Sequence, residues 1–447
     1  MTVARVTEII ASSPESFEDA VRKFGPNVYL WEKRTDKYEP TTYAEVHPQV
    51  HAMAAGLLSL GLGKGDRAAL IADSRNNWIM SELGILYTGA VNVPISTKVE
   101  ERTDLKFRLA HSECRMAIVS QSQVAKVREV KKDLARLEKI IVLDTLPAYD
   151  PDEIPVEEVL ARGRELLRTR RAEFEAAWTS VRESDYANIC YTSGTTADPK
   201  GIILTHRNYT ANIEQANSLI DCPPRFRTLL ILPWDHAFGH TCGIYTMMKN
   251  GASLASVQHG KTALETLRNF PNNMKEVKPT IMLSAPALAK NFQKGIERGI
   301  REKGPKVEAL FKKALALAYD YNGLGFNRGP GLKKLKKPLY ALYDKILFKK
   351  VREAFGGELE YFVGGAALLD LEIQKFFYAI GVPMYQGYGL TEASPIISAN
   401  GPKAHKMGSS GKPVSNMEIE IRDESGQALP AGAQGEICVK GENVMAG

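Results

Sequence analysis

The chain is poor in cysteine. Cys114, Cys190, Cys222, Cys242 and Cys438 are scattered and odd in number, and no two stand in a C-x-x-C pair. That argues against a disulfide framework or a structural zinc site and fits a reducing, cytoplasmic setting. Long apolar runs are also missing. The best, around Ile281 to Ala289, is broken by Pro286 and falls well short of the 18 or so residues a membrane span needs. The first twenty residues mix Arg5 with Glu8, Glu15, Glu18 and Asp19, so no signal peptide is expected. There is no internal repeat and no low-complexity tract. A net charge of +6 is mild for 447 residues and by itself supports neither nucleic-acid nor membrane binding.

What is present reads as an α/β protein. At 447 residues the chain is too long for one simple core, so two or three packed subdomains are expected. Apolar Val46, Val50, Met53, Ala54, Leu57 and Leu58 recur at helical spacing over 43–60. After the turn Gly63-Lys64-Gly65-Asp66, the run 68–72 has the pattern of a buried strand. A helix through Trp78 to Tyr87 comes next, and further strands are expected at 116–119, 139–143, 187–191, 228–232 and 279–283. From about 408 the texture changes. Short alternating segments at 417–422 and 435–440 flank Asp423-Glu424-Ser425-Gly426, the pattern of a small antiparallel sheet.

One segment stands apart in charge. Residues 301–352 hold fourteen Lys and Arg against four Asp and Glu, a local balance of +10. The densest part, Lys333-Lys334-Leu335-Lys336-Lys337, precedes an apolar stripe of Leu339, Tyr340, Leu342, Tyr343, Ile346, Leu347 and Phe348. Two readings stand side by side: a solvated helical hairpin, or contact with anionic lipid or an acidic ligand. A nucleic-acid partner would rest on this segment alone and is not expected.

The most informative stretch is Tyr191-Thr192-Ser193-Gly194-Thr195-Thr196-Ala197-Asp198-Pro199-Lys200-Gly201, after the strand-like Ala187-Asn188-Ile189-Cys190. A Ser, Thr and Gly loop after a strand can wrap polyphosphate: glycine lets backbone N–H groups point inward, hydroxyls donate, and a lysine adds charge. It is not a Walker A loop, since Lys200 is preceded by Pro199 and followed by Gly201.

This run resembles the signature of the AMP-forming, adenylate-forming superfamily, which includes acyl-CoA synthetases, luciferases and the adenylation domains of peptide synthetases. One position departs, Ala197 standing where the family usually has glycine. Three further blocks resemble the family's and fall in its order: Leu232-Pro233-Trp234-Asp235-His236-Ala237-Phe238-Gly239, Tyr361-Phe362-Val363-Gly364-Gly365-Ala366-Ala367-Leu368, and Tyr385-Gln386-Gly387-Tyr388-Gly389-Leu390-Thr391-Glu392. In the second, Ala367 replaces the family's proline. Thr42-Tyr43-Ala44-Glu45-Val46, Leu62 to Arg67 and Gly89 to Ile95 are similar to stretches common in these synthetases, so the resemblance runs from about residue 17 to the end.

The resemblance implies a fold and a site. The fold is two stacked αβα subdomains with mainly parallel sheets, about 1–180 and 181–400, plus the start of a small antiparallel β subdomain at 401–447. Thr192, Ser193, Gly194, Thr195, Thr196 and Lys200 would hold the phosphates of ATP, and Thr192 with Glu392 would fix Mg²⁺. Gly364, Gly365 and Ala366 would approach the adenine, on which Tyr388 would stack. Gln386, Gly387, Gly389 and Thr391 would complete the nucleotide site. His236, Thr391 and Glu392 would act catalytically, His236 near the ATP phosphates and the acyl carboxylate.

The interval from His236 to Gly364, 128 residues with a lysine-rich stretch, resembles the long-chain fatty-acid group. The implied reaction joins a fatty acid to ATP as acyl-AMP, then to coenzyme A, in the cytoplasm or peripherally at the inner face of a membrane. Relatives continue past Gly447 into a mobile domain carrying the adenylation lysine. The expectation is a chain without that domain, binding acyl-adenylate but forming acyl-CoA slowly. Two alternatives stay open: a fatty-acyl-AMP ligase loading a carrier protein, and a non-catalytic nucleotide-binding module.

Overall fold

The computed structural model describes residues 11–192, 198–260 and 262–447. The chain packs as two compact units, one of Met1–Asn27, Thr41–Ile213 and Asn443–Gly447, the other of Val28–Pro40 and Glu214–Glu442.

The first unit is built on a seven-stranded sheet in the order Glu153–Pro155, Lys139–Val142, Met116–Val119, Arg67–Ile71, Val91–Pro94, Tyr186–Thr192, Lys200–Thr205. All neighbours are parallel except the last pair, an antiparallel hairpin. Its central strands are apolar along their whole length because both faces are covered: Ala68, Ala69, Leu70, Ala117, Ile118 and Val119 are all buried. The helix Tyr43–Ser59 starts where expected, on a capping box in which Thr42 and Glu45 satisfy each other's backbone N–H groups.

The second unit carries a nine-stranded sheet in the order Lys412–Pro413, Ile396–Ala399, Met384–Gly389, Tyr361–Gly364, Ile281–Ser284, Arg227–Leu230, Ser253–Ser256, Val28–Lys33, Tyr38–Thr42. The strands from Met384–Gly389 across to Val28–Lys33 run parallel, while Ile396–Ala399 and Lys412–Pro413 add antiparallel. Met417–Arg422 and Glu436–Gly441 form a separate two-stranded antiparallel sheet, as their alternation predicts. The architecture is thus mixed α/β with two large, mainly parallel sheets and small antiparallel additions.

The boundary expected near residue 180 lies elsewhere. Tyr186–Thr192 pairs with Val91–Pro94 and then folds back as the hairpin with Lys200–Thr205, so residues through Ile213 belong with the first unit. Val28–Lys33, far upstream, pairs with Ser253–Ser256 in the second. Sheet partners are chosen by non-local hydrogen bonding, which a local reading of periodicity does not see.

The lysine-rich segment forms the helix Pro305–Asn322 and the turns and short helices from Gly331 to Arg352. Its apolar stripe divides between two faces. Tyr340, Tyr343 and Phe348 join the core, packing with Phe311 and Phe376, whereas Leu339, Leu342 and Ile346 point to solvent. Leu332 and Leu335 are 85% and 77% exposed. Among the described residues no helix is long and apolar enough to cross a membrane. All five cysteines are free thiols.

Candidate nucleotide and acyl site

The three blocks that follow the phosphate loop in sequence meet in the second unit. Strand Tyr361–Gly364 lies between Ile281–Ser284 and Met384–Gly389, in a register that puts Ser284, Gly364 and Gln386 side by side. The Gly365 N–H continues that ladder, donating to Ser284 O at 3.1 Å. Side-chain-free backbone here permits close approach. A Cβ on Gly365 would sit 2.9 Å from the Phe238 ring, and one on Gly389 would sit 1.9 Å from Pro395 O. Ala366 holds φ +67°, a left-handed conformation that a residue with a Cβ adopts only under local strain.

His236 follows the strand Arg227–Leu230. Trp234, fully buried, anchors this turn, and the Phe238–Tyr245 segment continues as a π-helix in which His240 N–H donates to His236 O at 2.9 Å. A π-helical segment is uncommon and is often found at functional sites. The His236 side chain is exposed at the rim. His240 is fully buried, its ring 4.8 Å from that of Tyr245.

Strand Met384–Gly389 leads into the single turn Thr391–Ala393. Among the hydrogen bonds that hold this turn, Leu390 N–H donates to Pro395 O at 2.9 Å and the Thr241 hydroxyl donates to Ser394 O at 2.7 Å. The half-buried Glu392 carboxylate is engaged by no hydrogen bond or ion pair among the described residues, so its oxygens can serve a hard cation.

These elements enclose a pocket of about 310 Å³. His236, Phe238, Gly364, Gly365, Ala366, Gly387, Tyr388, Gly389 and Thr391 line it together with Leu219, Ile220, Cys222, Met247 and Leu283. The lining thus combines backbone, a hydroxyl and an aromatic face with aliphatic side chains. That is the usual composition of a small-molecule site, and the volume lies at the lower end of the usual range. Burial pushes the Cys222 and Cys242 thiols up to about 12, so both behave here as apolar lining rather than as nucleophiles.

Gln386 has a role that its motif position does not reveal. Its side-chain oxygen accepts from Leu369 N–H at 2.9 Å and its nitrogen donates to Ala367 O at 3.3 Å, fixing the turn after Gly365. Asn400 was not singled out from sequence. Its Nδ2 donates to Gln386 O at 3.1 Å and to Ser409 O at 2.6 Å, and its Oδ1 accepts from Lys406 N–H at 2.8 Å. Nor was Thr241. No periodicity marks either residue, because each acts across the fold.

Of the phosphate loop, Thr192 and Lys200 belong to the first unit, where they face each other as register partners at the open end of the hairpin. The return strand Lys200–Thr205 was not anticipated, although the run Ile202-Ile203-Leu204 carries its signal. Ser193, Gly194, Thr195, Thr196 and Ala197 lie outside the described residues.

Residues 17–447 match the AMP-binding enzyme family, and the chain belongs to that family. It is 28% identical over 481 residues to the long-chain-fatty-acid–[acyl-carrier-protein] ligase AEE15, chloroplastic, of Arabidopsis thaliana, with 97% of this chain and 63% of that protein covered. It is 27% identical over 426 residues to the long-chain-fatty-acid–CoA ligase FadD15 of Mycobacterium bovis, covering 94% of this chain and 66% of that one. The chain therefore spans just under two thirds of the length of these relatives. Among solved structures it is similar to the anthranilate CoA ligase AuaEII in complex with anthranoyl-AMP, with a TM-score of 0.72 at 21% identity over 98% of this chain and 71% of that one.

Proposed function

We propose that this chain forms the substrate-binding part of an adenylate-forming ligase that activates a long-chain fatty acid with ATP. The observation that carries the reading is the convergence of three separate blocks, 236–238, 364–366 and 387–391, on one pocket whose lining mixes polar groups with aliphatic side chains. A scaffold or sensor without chemistry has no need of the free carboxylate of Glu392 beside such a pocket.

In this reading Tyr388 offers its ring to the adenine and the Gly364–Ala366 backbone lies along the purine edge. Thr391 donates to the α-phosphate. His236 at the rim donates to the oxygen on which charge builds as a fatty-acid carboxylate oxygen bonds to the α-phosphorus and the bond to pyrophosphate breaks. Mg²⁺, if bound, would be held by Glu392 and would supply charge neutralisation. Catalysis of this kind is positioning and electrostatics. In the following step the thiolate of coenzyme A bonds to the acyl carbon and AMP leaves. Gln386 and Asn400 position the strand end.

The test is calorimetric titration with non-hydrolysable acyl-adenylate analogues of increasing chain length. Binding should strengthen by about 0.8 kcal/mol per added methylene until the pocket is filled. No binding, or affinity independent of chain length, overturns the reading. Product analysis with coenzyme A and with acyl-carrier protein as acceptors separates the two kinds of ligase represented among the relatives.

The same chain would meet its lipid substrate at a membrane surface. Leu332, Leu335, Leu339, Leu342 and Ile346 are exposed side by side with the exposed Lys334, Lys337, Lys345, Lys349 and Lys350. Lysines flanking exposed leucines fit the phosphate and acyl layers of an anionic bilayer.

A further inference from the structure

Away from the pocket, in the first unit, two histidines and a glutamate converge. His47 and His51 stand one helical turn apart on Tyr43–Ser59, so both project from one face. Glu18 comes from the helix Ser13–Phe24 packed alongside. His51 Nε2 lies 2.7 Å from Glu18 Oε1, and His47 Nε2 lies 3.0 Å from Glu18 Oε2. The two imidazole rings are 3.9 Å apart. One ligand atom from each of the three residues lies within 4.8 Å of the others, and among the described residues no other group of three or more His, Cys, Asp or Glu does this.

We propose that Glu18, His47 and His51 form a binding site for a divalent transition cation, zinc by preference, that ties the first helix to the second. Zinc takes imidazole nitrogen at about 2.0–2.1 Å and carboxylate oxygen at about 2.0–2.2 Å, which puts tetrahedral ligand atoms about 3.3 Å apart. The two spacings to Glu18, 2.7 and 3.0 Å, would each open towards that value. Two imidazoles select against Mg²⁺ and Ca²⁺, which prefer oxygen.

The surroundings suit a ligand set. The Tyr87 hydroxyl donates to Glu18 Oε1 at 2.7 Å, orienting the carboxylate from outside the cluster. The two Glu18 carboxylate oxygens thus face His47, His51 and Tyr87 at once. Phe174 packs 4.8 Å from the His51 ring and limits its motion. The side chains of Glu18 and His47 retain 28% and 27% of their exposure, leaving a path from solvent. A cation would take the place of the two histidine N–H donors, the imidazoles shifting their protons to Nδ1, with water in the fourth position. The scarcity of cysteine does not bear on this site, which uses no thiolate.

The experiment is a titration of the chelator-stripped chain with Zn²⁺ alone, read by calorimetry against a competing chelator and by Co²⁺ absorption in the visible. The expected result is one equivalent bound at micromolar affinity or tighter, with the intense Co²⁺ bands of a tetrahedral site and a raised Tm. His47→Gln and Glu18→Gln, which keep side-chain volume and hydrogen bonding, should each weaken binding at least a hundredfold. Tyr87→Phe should weaken it about tenfold, as a positioning residue does. Circular dichroism confirms that each variant is folded, and a variant that fails to fold is replaced by His51→Gln. Substoichiometric or millimolar binding, or folded variants that bind as tightly as the parent, would show a hydrogen-bonded clamp and no metal site.

Discussion

The Gln386 side-chain oxygen accepts from the Leu369 N–H at 2.9 Å, with both residues buried, so a strand end and the turn after the neighbouring strand move as one piece. Removing the amide leaves a buried N–H without its acceptor, at about 1–3 kcal/mol. Gln386→Ala should lower stability by that amount and loosen the Gly364–Ala366 backbone. Denaturant unfolding reads the first effect and the affinity for an acyl-adenylate analogue the second. An unchanged midpoint would show that the bond is dispensable.

Gly365→Ala tests the close approach of backbone and ring. The added Cβ would meet the Phe238 ring at 2.9 Å, so the ring must turn into the pocket. Overpacking of this kind destabilises by about 1–3 kcal/mol. Analogue binding should fall by more than the Tm change alone explains. Gly365→Ala combined with Phe238→Leu should recover much of both.

Glu392→Gln should leave the fold intact, because the carboxylate has no protein partner among the described residues, and should weaken ATP binding only when Mg²⁺ is present. Titrations with and without Mg²⁺ separate this from a general loss of affinity. Equal Mg²⁺-dependence in the parent and the variant would remove Glu392 from the cation site.

His206 gives the acid response a defined window. Burial lowers its imidazole to about 4 from the usual 6.5, because charge is disfavoured at a fully buried site; Nδ1 accepts from Ser13 N–H at 3.2 Å. A folded-state value below the unfolded one means that the unfolded chain binds the extra proton. The stability this contributes is fully present above pH 6.5 and is lost as pH falls from 6.5 towards 4. The slope should be about 1.4 kcal/mol per pH unit and the total about 3 kcal/mol. Unfolding of the parent should show this decline, and His206→Gln should flatten it. Burial would raise the Glu18 carboxyl, but hydrogen bonds from His47, His51 and Tyr87 hold it far below the usual carboxylate range, so its contribution is lost in the same direction but at lower pH, and the two are separable.

Leu335→Glu with Leu339→Glu should abolish co-sedimentation with phosphatidylserine vesicles while leaving the Tm within about 1 °C, since both side chains are exposed. Parent binding should weaken at high salt through screening. Failure of the parent to bind anionic vesicles at low salt would return the segment to a solvated hairpin.

The sequence by itself determined the α/β class, eight of the eighteen described strands and the family. Strands buried on both faces must be apolar throughout, as in 68–71 and 116–119, and such runs are legible in one dimension. The blocks around His236, Gly364 and Tyr388 were legible too, because glycines, a histidine and a Thr-Glu pair at fixed offsets encode local backbone needs. Only the tertiary structure decided which strands share a sheet, so that Val28–Lys33 joins Ser253–Ser256 and the hairpin after Tyr186 closes the first unit. It also divided the 339–348 stripe into a buried and an exposed face, turned Gln386 inward onto Leu369, and brought Glu18 to His47 and His51. These outcomes depend on partners distant in the chain, and hydrogen bonding and packing between such partners leave no periodic trace in the sequence.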